Sequence, residues 1–534
     1  MLSRLTRVDW LLAWLLVALV AIFLHGPVPL YSTRTLGVAW EMWARGDFLL
    51  PIQNGLPYSH KPPTLYWLIH AGWALFGVSD VWPRVLVVLL GALSAALTAQ
   101  LGVKLYPERP QVALIAPWIL LSGLYFFLFA QQIMFELLLV IAVLCAYLSA
   151  WRIWHGGRFG RSALTLSLAL GLLTKGPVVF LHVLPGLLLL PFIARRSALA
   201  VPRRWRLGVL GCALAGSAIA LAWALPAALS VGPAFAEQLL IGQTAGRIAQ
   251  AFDHARPLWW YLPWIGVLGF PWLFHAPIWR GLAARRQWPK AFASQLLLAW
   301  TVPAFVGFCL VSGKQVYYLL PLMPAFALAL AKLLDEQANP RRAWLLAAML
   351  AALALGLLAF GAGWFSALQD KAWYAGLLTH ATLGAIALLV CSGIVLLPAS
   401  TALARTRVSA TAMLLSMGVL KALFSVSIWP TFNLQAAALQ IAALHKRGAL
   451  VASIEHYEGQ YHFAGRLTQP IIQLSRDRAL ALAWASAHPE AYLLLYPSEQ
   501  TACALKPIYA QAFRNQRLEL WQVDAWRRCR APFG

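Results

Sequence analysis

The chain has 534 residues, 61% of them hydrophobic, a mean hydropathy of +0.69 and only 11% charged residues. Soluble domains carry about 25% charged residues, so composition excludes a water-soluble fold and points to a bilayer, which about 20 apolar residues can span. The net charge of +24, from 42 Lys and Arg against 18 Asp and Glu, does not mark a nucleic-acid binder, because the basic residues form short clusters between apolar runs, the positive-inside pattern.

Arg4 and Arg7 precede the first apolar run, Asp9 to Leu24. No small-residue cleavage site follows, so the run reads as a retained first helix rather than a signal peptide. With those arginines inside and each later run crossing once, the chain is an all-α polytopic membrane protein of about thirteen transmembrane helices. Between His25 and Pro83 the sequence is too interrupted for a full span. Two amphipathic stretches there, Thr33 to Arg45 and Pro63 to Phe76, are placed flat on the outer surface.

Helix two runs from Val85 to Val103 and meets Lys104 and Arg109. Helix three runs from Val112 to Phe129, and helix four from Leu137 to Ala150, before Arg152, Arg158 and Arg161. Helix five ends before Lys175; helix six starts at Val178 and meets Arg195 and Arg196; helix seven ends by Leu229. An outer loop follows to Arg256, helix eight ends at Arg280, helix nine near Ser312, and helix ten meets Lys332 and Arg341. Helices eleven and twelve lead to Arg405 and Arg407, and helix thirteen ends before Trp429. Every loop assigned inside holds at least two basic residues. Counting Pro63 to Phe76 as a span would reverse that pattern for the later clusters.

Residues 1–430 are therefore expected to form the transmembrane domain and residues 431–534 a small domain outside the membrane. The tail carries β-like runs at Ala449 to Ile454, Ala491 to Tyr496 and Leu518 to Val523, with a helical run from Asp477 to Ala487, so it reads as a small α/β domain. Cys145, Cys212, Cys309 and Cys391 lie in apolar runs and read as packing residues. Cys503 and Cys529 lie in the tail, where a disulfide and two separate thiols are both compatible with the sequence.

Charged residues gather at the outer helix ends and in outer loops: Arg34, Glu41, Asp47, Lys61, Arg84, Glu136, Lys175, Arg247, His254 and Lys314. Any one alone reads as a headgroup anchor. Together on one side they suit a phosphate, such as a lipid phosphate carrying a sugar among Lys61, Lys175 and Lys314. A transporter would show broken helices and polar residues at mid-membrane. Lys421 alone lies well inside a span, where it can snorkel outward.

The stretch Arg34, Glu41-Met42, Gly46-Asp47, Pro51, Asn54-Gly55, Tyr58, Lys61-Pro62 and Tyr66-Trp67 resembles the first outer loop of the bacterial aminoarabinose transferases. Those enzymes are GT-C glycosyltransferases akin to the protein mannosyltransferases. Further matches are Phe76-Gly77 with Arg84, Leu173-Thr174-Lys175-Gly176-Pro177, and Arg247, His254 and Pro257 before Trp259-Trp260-Tyr261. Pro271-Trp272 and Ser312-Gly313-Lys314 before Tyr318-Leu319-Leu320-Pro321 complete a set running in order through residues 1–335. The resemblance implies thirteen transmembrane helices, outer juxtamembrane helices and a periplasmic C-terminal domain in the bacterial inner membrane. It implies transfer of a sugar from undecaprenyl phosphate to a lipid or glycan acceptor, with membrane lipids as surroundings and no nucleic acid.

On that resemblance Lys61, Lys175, Lys314 and Tyr318 bind the donor phosphate. Arg84, Arg247 and His254 bind the acceptor or a headgroup, and Arg34, Tyr31 and Glu136 serve the chemistry. The sequence also departs from the family. The family's Asp-Glu pair falls at Tyr31 and Ser32, a second Asp at Glu136, a Glu at Gln243, and an acidic residue at His60. Cations persist while most carboxylates are replaced. A hydroxyl acceptor needs a general base or a carboxylate-held divalent metal. A phosphate acceptor is already anionic and needs mainly positioning, which a site with Glu136 alone serves better; the acceptor stays open, and no cofactor is certain, a divalent metal being compatible. The rival reading is an altered relative that binds or moves lipid-linked sugars without catalysis.

Overall fold

A computed structural model describes residues 8–240, 242, 256–275, 278–279, 282–283, 291–336, 342–474, 478–497 and 505–529. Up to Ser427 these residues are helical apart from one short hairpin and the connecting loops. Nine helices among them are long and apolar enough to cross a membrane, from Val81–Leu105 to Ala402–Ser427. Asp9–Phe23, Pro110–Ser122 and Leu258–Leu268 are shorter apolar helices. The protein is thus a multi-pass membrane protein.

Each expected apolar run has a helical counterpart, although the eighth, ending at Arg280, falls partly outside the described residues. The third differs from expectation. It breaks into Pro110–Ser122 and Leu124–Phe129, because Gly123 adopts an extended conformation and the Leu124 N–H leaves the helix for the Phe270 carbonyl at 3.0 Å. The helices pack around one core: Trp14, with no exposed surface, donates its indole N–H to the Val88 carbonyl at 2.9 Å. Ends assigned to the inner side meet one another: Arg407 pairs with Asp9 at 2.7 Å and Arg109 with Asp335 at 3.1 Å.

The two amphipathic stretches form helices Tyr31–Arg45 and Thr64–Phe76. Between them β1 (Ile52–Gln53) and β2 (Leu56–Pro57) pair antiparallel across Asn54-Gly55. Both turn residues have positive φ, 53° and 80°, as a two-residue primed turn demands and as Asn-Gly supplies most readily. Glu41 clamps the turn: its two carboxylate oxygens accept the Asn54 and Gly55 N–H groups at 2.6 and 2.8 Å. Burial pushes the Glu41 carboxyl above its ordinary range.

The C-terminal sheet has the order β4 (Ile472–Gln473), β3 (Val451–Ser453), β5 (Tyr492–Leu495), β7 (Gln516–Gln522), β6 (Tyr509–Phe513). β3 runs parallel to β4 and β5, while β7 runs antiparallel to β5 and β6. Helix Gln435–Lys446 covers one face through Ala437 and Ile441 against Leu494 and Leu520. Helix Arg478–Ala487 covers the other through Ala481 and Ala485 against Leu493 and Trp521. The result is the expected small α/β region, with β4, β6 and the helix Gln435–Lys446 added. β6 reads Tyr-Ala-Gln-Ala-Phe, without the branched residues that announce a strand. Cys529 is disulfide-bonded; Cys503 lies outside the described residues.

This region sits directly on the juxtamembrane helices. Asn54 exchanges two hydrogen bonds with the backbone of Ile471, both 2.8 Å, and the Trp40 indole donates to the Leu467 carbonyl at 2.9 Å. Trp73 stacks on Phe463 at 5.5 Å. Gly37 permits the contact, since a Cβ there would lie 2.6 Å from the Gly459 carbonyl oxygen.

Candidate active site

Lys175 ends the helix Gly160–Lys175, which stops because Gly176 takes a positive φ of 72°. Its ammonium donates to Glu136 Oε1 at 2.6 Å. Glu136 opens the helix Glu136–Trp154 and is wholly buried. A buried carboxylate needs a cation and hydrogen bonds to persist, and Lys175 supplies one. The second oxygen, Oε2, has no hydrogen-bond partner among the described residues.

Lys175 also lies over two aromatic rings, 4.5 Å from the Tyr318 centroid and 5.2 Å from that of Tyr317, where ring quadrupoles favour a cation. An ammonium has three donors. Glu136 takes one, and the other two have no hydrogen-bonded partner among the described residues. Lys61 approaches the same place: its ammonium lies 5.8 Å from the ring centroid of Phe135, the residue before Glu136. The Lys61 loop is tied to the Lys175 helix by Thr64, whose hydroxyl donates to the Leu173 carbonyl at 2.7 Å.

Tyr31 packs edge-on against Tyr317 at 5.3 Å, and the Arg34 guanidinium lies 5.5 Å over its ring. Burial, then Glu136 and Tyr317, push the Tyr31 hydroxyl well above its ordinary range, so it is a neutral group and no base. Arg34 pairs with Glu458 of the C-terminal region at 2.9 Å. Ser32 is turned elsewhere: its hydroxyl donates to Gln132 Oε1 at 3.0 Å and accepts the Ile133 N–H at 3.2 Å.

The structure therefore brings Lys61, Lys175, Glu136, Tyr31, Arg34 and Tyr318 into one neighbourhood. Lys314 is engaged differently from the expectation of a donor-gripping pair with Lys61. It is 2% exposed, and its ammonium donates to the carbonyls of Arg256 and Val311 at 3.0 and 2.5 Å. These bonds tie it to the loop just before Tyr317 and Tyr318. Arg84 is also committed, to Asp80 at 2.8 Å and to the carbonyls of Ile22 and His25. Arg247 and His254 lie outside the described residues. Among the described residues no three His, Cys, Asp or Glu side chains gather as a metal site.

Sequence reasoning missed Tyr317 and Glu458. Tyr317 stands beside Tyr318 and was within reach of the same argument. Glu458 carried no signal, because nothing in the sequence links it to Arg34 across 424 residues.

Known proteins resemble the chain in sequence and in fold. A family model described as dolichyl-phosphate-mannose-protein mannosyltransferase matches residues 47–230. The chain is 30% identical over 348 residues to an undecaprenyl phosphate-alpha-4-amino-4-deoxy-L-arabinose arabinosyl transferase of Sodalis glossinidius, covering 61% of this chain and 60% of that protein. It is 31% identical over 344 residues to the transferase of the same description in Pseudomonas aeruginosa, covering 61% and 59%. The match thus spans about three-fifths of the length of these relatives. The fold extends further. ArnT from Cupriavidus metallidurans bound to undecaprenyl phosphate superposes with a TM-score of 0.73 over 96% of this chain and 97% of that one, at 20% identity. The chain is similar to the aminoarabinose transferases over about three-fifths of their length and has the fold of ArnT. The apo form of ArnT matches with a TM-score of 0.75 over 98% and 99% of the two chains, at 18% identity. The GT-C fold thus includes the C-terminal sheet as well as the helices.

Proposed function

We propose that this protein is a membrane glycosyltransferase that moves a sugar from a polyprenyl phosphate donor to a phosphate of a lipid A-like or other cell-envelope acceptor. Residues 1–430 form its catalytic membrane domain and residues 431–534 a periplasmic domain of the bacterial inner membrane. The observation that carries the reading is Lys175: two ammonium donors without partners among the described residues, beside a Glu136 oxygen also without one there, in the fold of a protein solved with undecaprenyl phosphate. The donor phosphate is the natural acceptor of those N–H groups, with Lys61 completing the charge. The free Glu136 oxygen suits a sugar hydroxyl.

An acceptor phosphate oxygen attacks the anomeric carbon as the bond from that carbon to the donor phosphate oxygen breaks. The bond electrons leave with undecaprenyl phosphate, whose growing negative charge Lys175 and Lys61 stabilise. No proton need be removed from the acceptor, which matches a site holding a neutral Tyr31. Arg34 and Tyr31 wall the reacting centre, and Lys314 and Tyr318 hold its far side. The test is transfer by purified protein from a radiolabelled undecaprenyl phosphate aminoarabinose, with lipid A and a dephosphorylated lipid A as acceptors. Labelled lipid A with an unlabelled dephosphorylated form is expected. Absence of transfer to any phosphorylated acceptor overturns the reading.

A further inference from the structure

A second polar place lies beside the site, and nothing in the proposed transfer uses it. A small cavity of about 10 Å³ is lined by His25, Ser32, Arg84, Gln131 and Lys421 among others. That is room for one water, or for one oxygen of a larger group seated at its mouth. Lys421, near the end of the helix Ala402–Ser427, lies 5.9 Å from the Phe424 ring centroid. It has no carboxylate or hydrogen-bond partner among the described residues. Gln131 is 7% exposed, and neither its amide nitrogen nor its amide oxygen has a partner there.

An ammonium within an apolar span is costly unless an anion or water meets it, and a buried amide left unbonded is costly too. Here both border the same cavity. The other lining groups fit one kind of occupant. Arg84 adds a second cation, already balanced by Asp80 at 2.8 Å. His25 donates from Nδ1 to the Gly26 carbonyl at 2.7 Å, which leaves Nε2 as a buried acceptor without a partner. Donors on Lys421 and Gln131 beside acceptors on Gln131 and His25 match an oxyanion that retains one proton.

We propose that this cavity is a second anion subsite, separate from the Lys61–Lys175 neighbourhood, and that it takes one phosphate oxygen of an anionic membrane lipid seated at its mouth. A lipid is the favoured source because Lys421 belongs to a membrane-spanning helix. Ser32 lines the cavity, next in sequence to Tyr31 of the candidate active site, so a lipid held there lies alongside the reacting centre. The inference does not depend on transferase activity.

The test measures binding of dioctanoyl phosphatidate and of inorganic phosphate to detergent-purified full-length protein. The variants are Lys421→Met, Lys421→Arg, Gln131→Leu and Lys61→Ala, each first checked for monodispersity and melting temperature. Phosphatidate affinity is expected to fall by about tenfold or more in Lys421→Met and Gln131→Leu, the loss of one charge-assisted hydrogen bond. It should persist in Lys61→Ala and in Lys421→Arg, which keeps the charge. Equal binding by Lys421→Met and the wild type overturns the subsite. So does loss of binding in Lys61→Ala alone, which would leave one phosphate site. Inorganic phosphate binding as tightly as phosphatidate overturns the lipid assignment.

Discussion

Lys175 and Glu136 meet at 2.6 Å with their side chains 10% and 1% exposed, so each is the other's condition for being buried. Removing one partner of such a pair costs about 3–5 kcal/mol, because the remaining charge is stranded. Glu136→Gln is therefore expected to lower the melting temperature as well as abolish transfer. The double variant Glu136→Gln/Lys175→Met carries no stranded charge and should regain most of the stability while staying inactive. Melting curves and transfer rates on the same samples separate the two effects. A Glu136→Gln protein with full turnover would remove Glu136 from the chemistry.

The Lys61 ammonium lies 5.8 Å from the ring centroid of Phe135, the residue before Glu136. Where Lys61 meets the donor phosphate, Lys61→Ala should weaken undecaprenyl phosphate binding by about 10- to 100-fold, the worth of one charge-assisted contact. Titration of undecaprenyl phosphate by intrinsic fluorescence checks this. Unchanged affinity would exclude Lys61 from the donor phosphate.

The membrane part was legible because most of its helices are long apolar runs separated by clusters of arginine and lysine, and because the Asn54-Gly55 turn and the Gly176 stop are local signals. Lys61 and Lys175 fall on one side in the topology read from the sequence, and Thr64 ties the Lys61 loop to the Lys175 helix. What escaped depends on contacts between distant segments. Lys314 turns to the carbonyls of Arg256 and Val311, a choice made by loop geometry that residue type does not encode. Glu458 reaches Arg34 only because the C-terminal sheet docks on helix Tyr31–Arg45. Gly123 breaks helix three because a partner, the Phe270 carbonyl, waits for the Leu124 N–H.

That docking rests on Gly37. An alanine there would put its Cβ 2.6 Å from the Gly459 carbonyl oxygen and 3.7 Å from the His462 Cβ, and the first contact is backbone that must shift. Gly37→Ala is expected to destabilise the protein by about 1–3 kcal/mol, as overpacking does. It should also expose the 455–474 segment to limited proteolysis. A variant as protease-resistant as the wild type would show that the C-terminal region can retreat without loss.

The same interface should respond to acid. His462, 1% exposed, is held down to about 3 by burial first and by His445 and Arg45 after it. Tyr457 O–H donates to His462 Nδ1 at 2.6 Å, as a neutral ring protonated on Nε2 allows, and His462 Nε2 lies 3.7 Å from Glu41 Oε1. Because the folded value lies below the ordinary 6.5, the unfolded chain binds the proton more readily. The contribution to stability is therefore complete above about pH 6.5 and declines as the pH falls from there towards about 3. Melting temperatures measured from pH 7.5 down to 4.5 should fall more steeply for the wild type than for His462→Asn, which cannot take up the proton. Parallel slopes for the two proteins would remove His462 as a source of acid sensitivity.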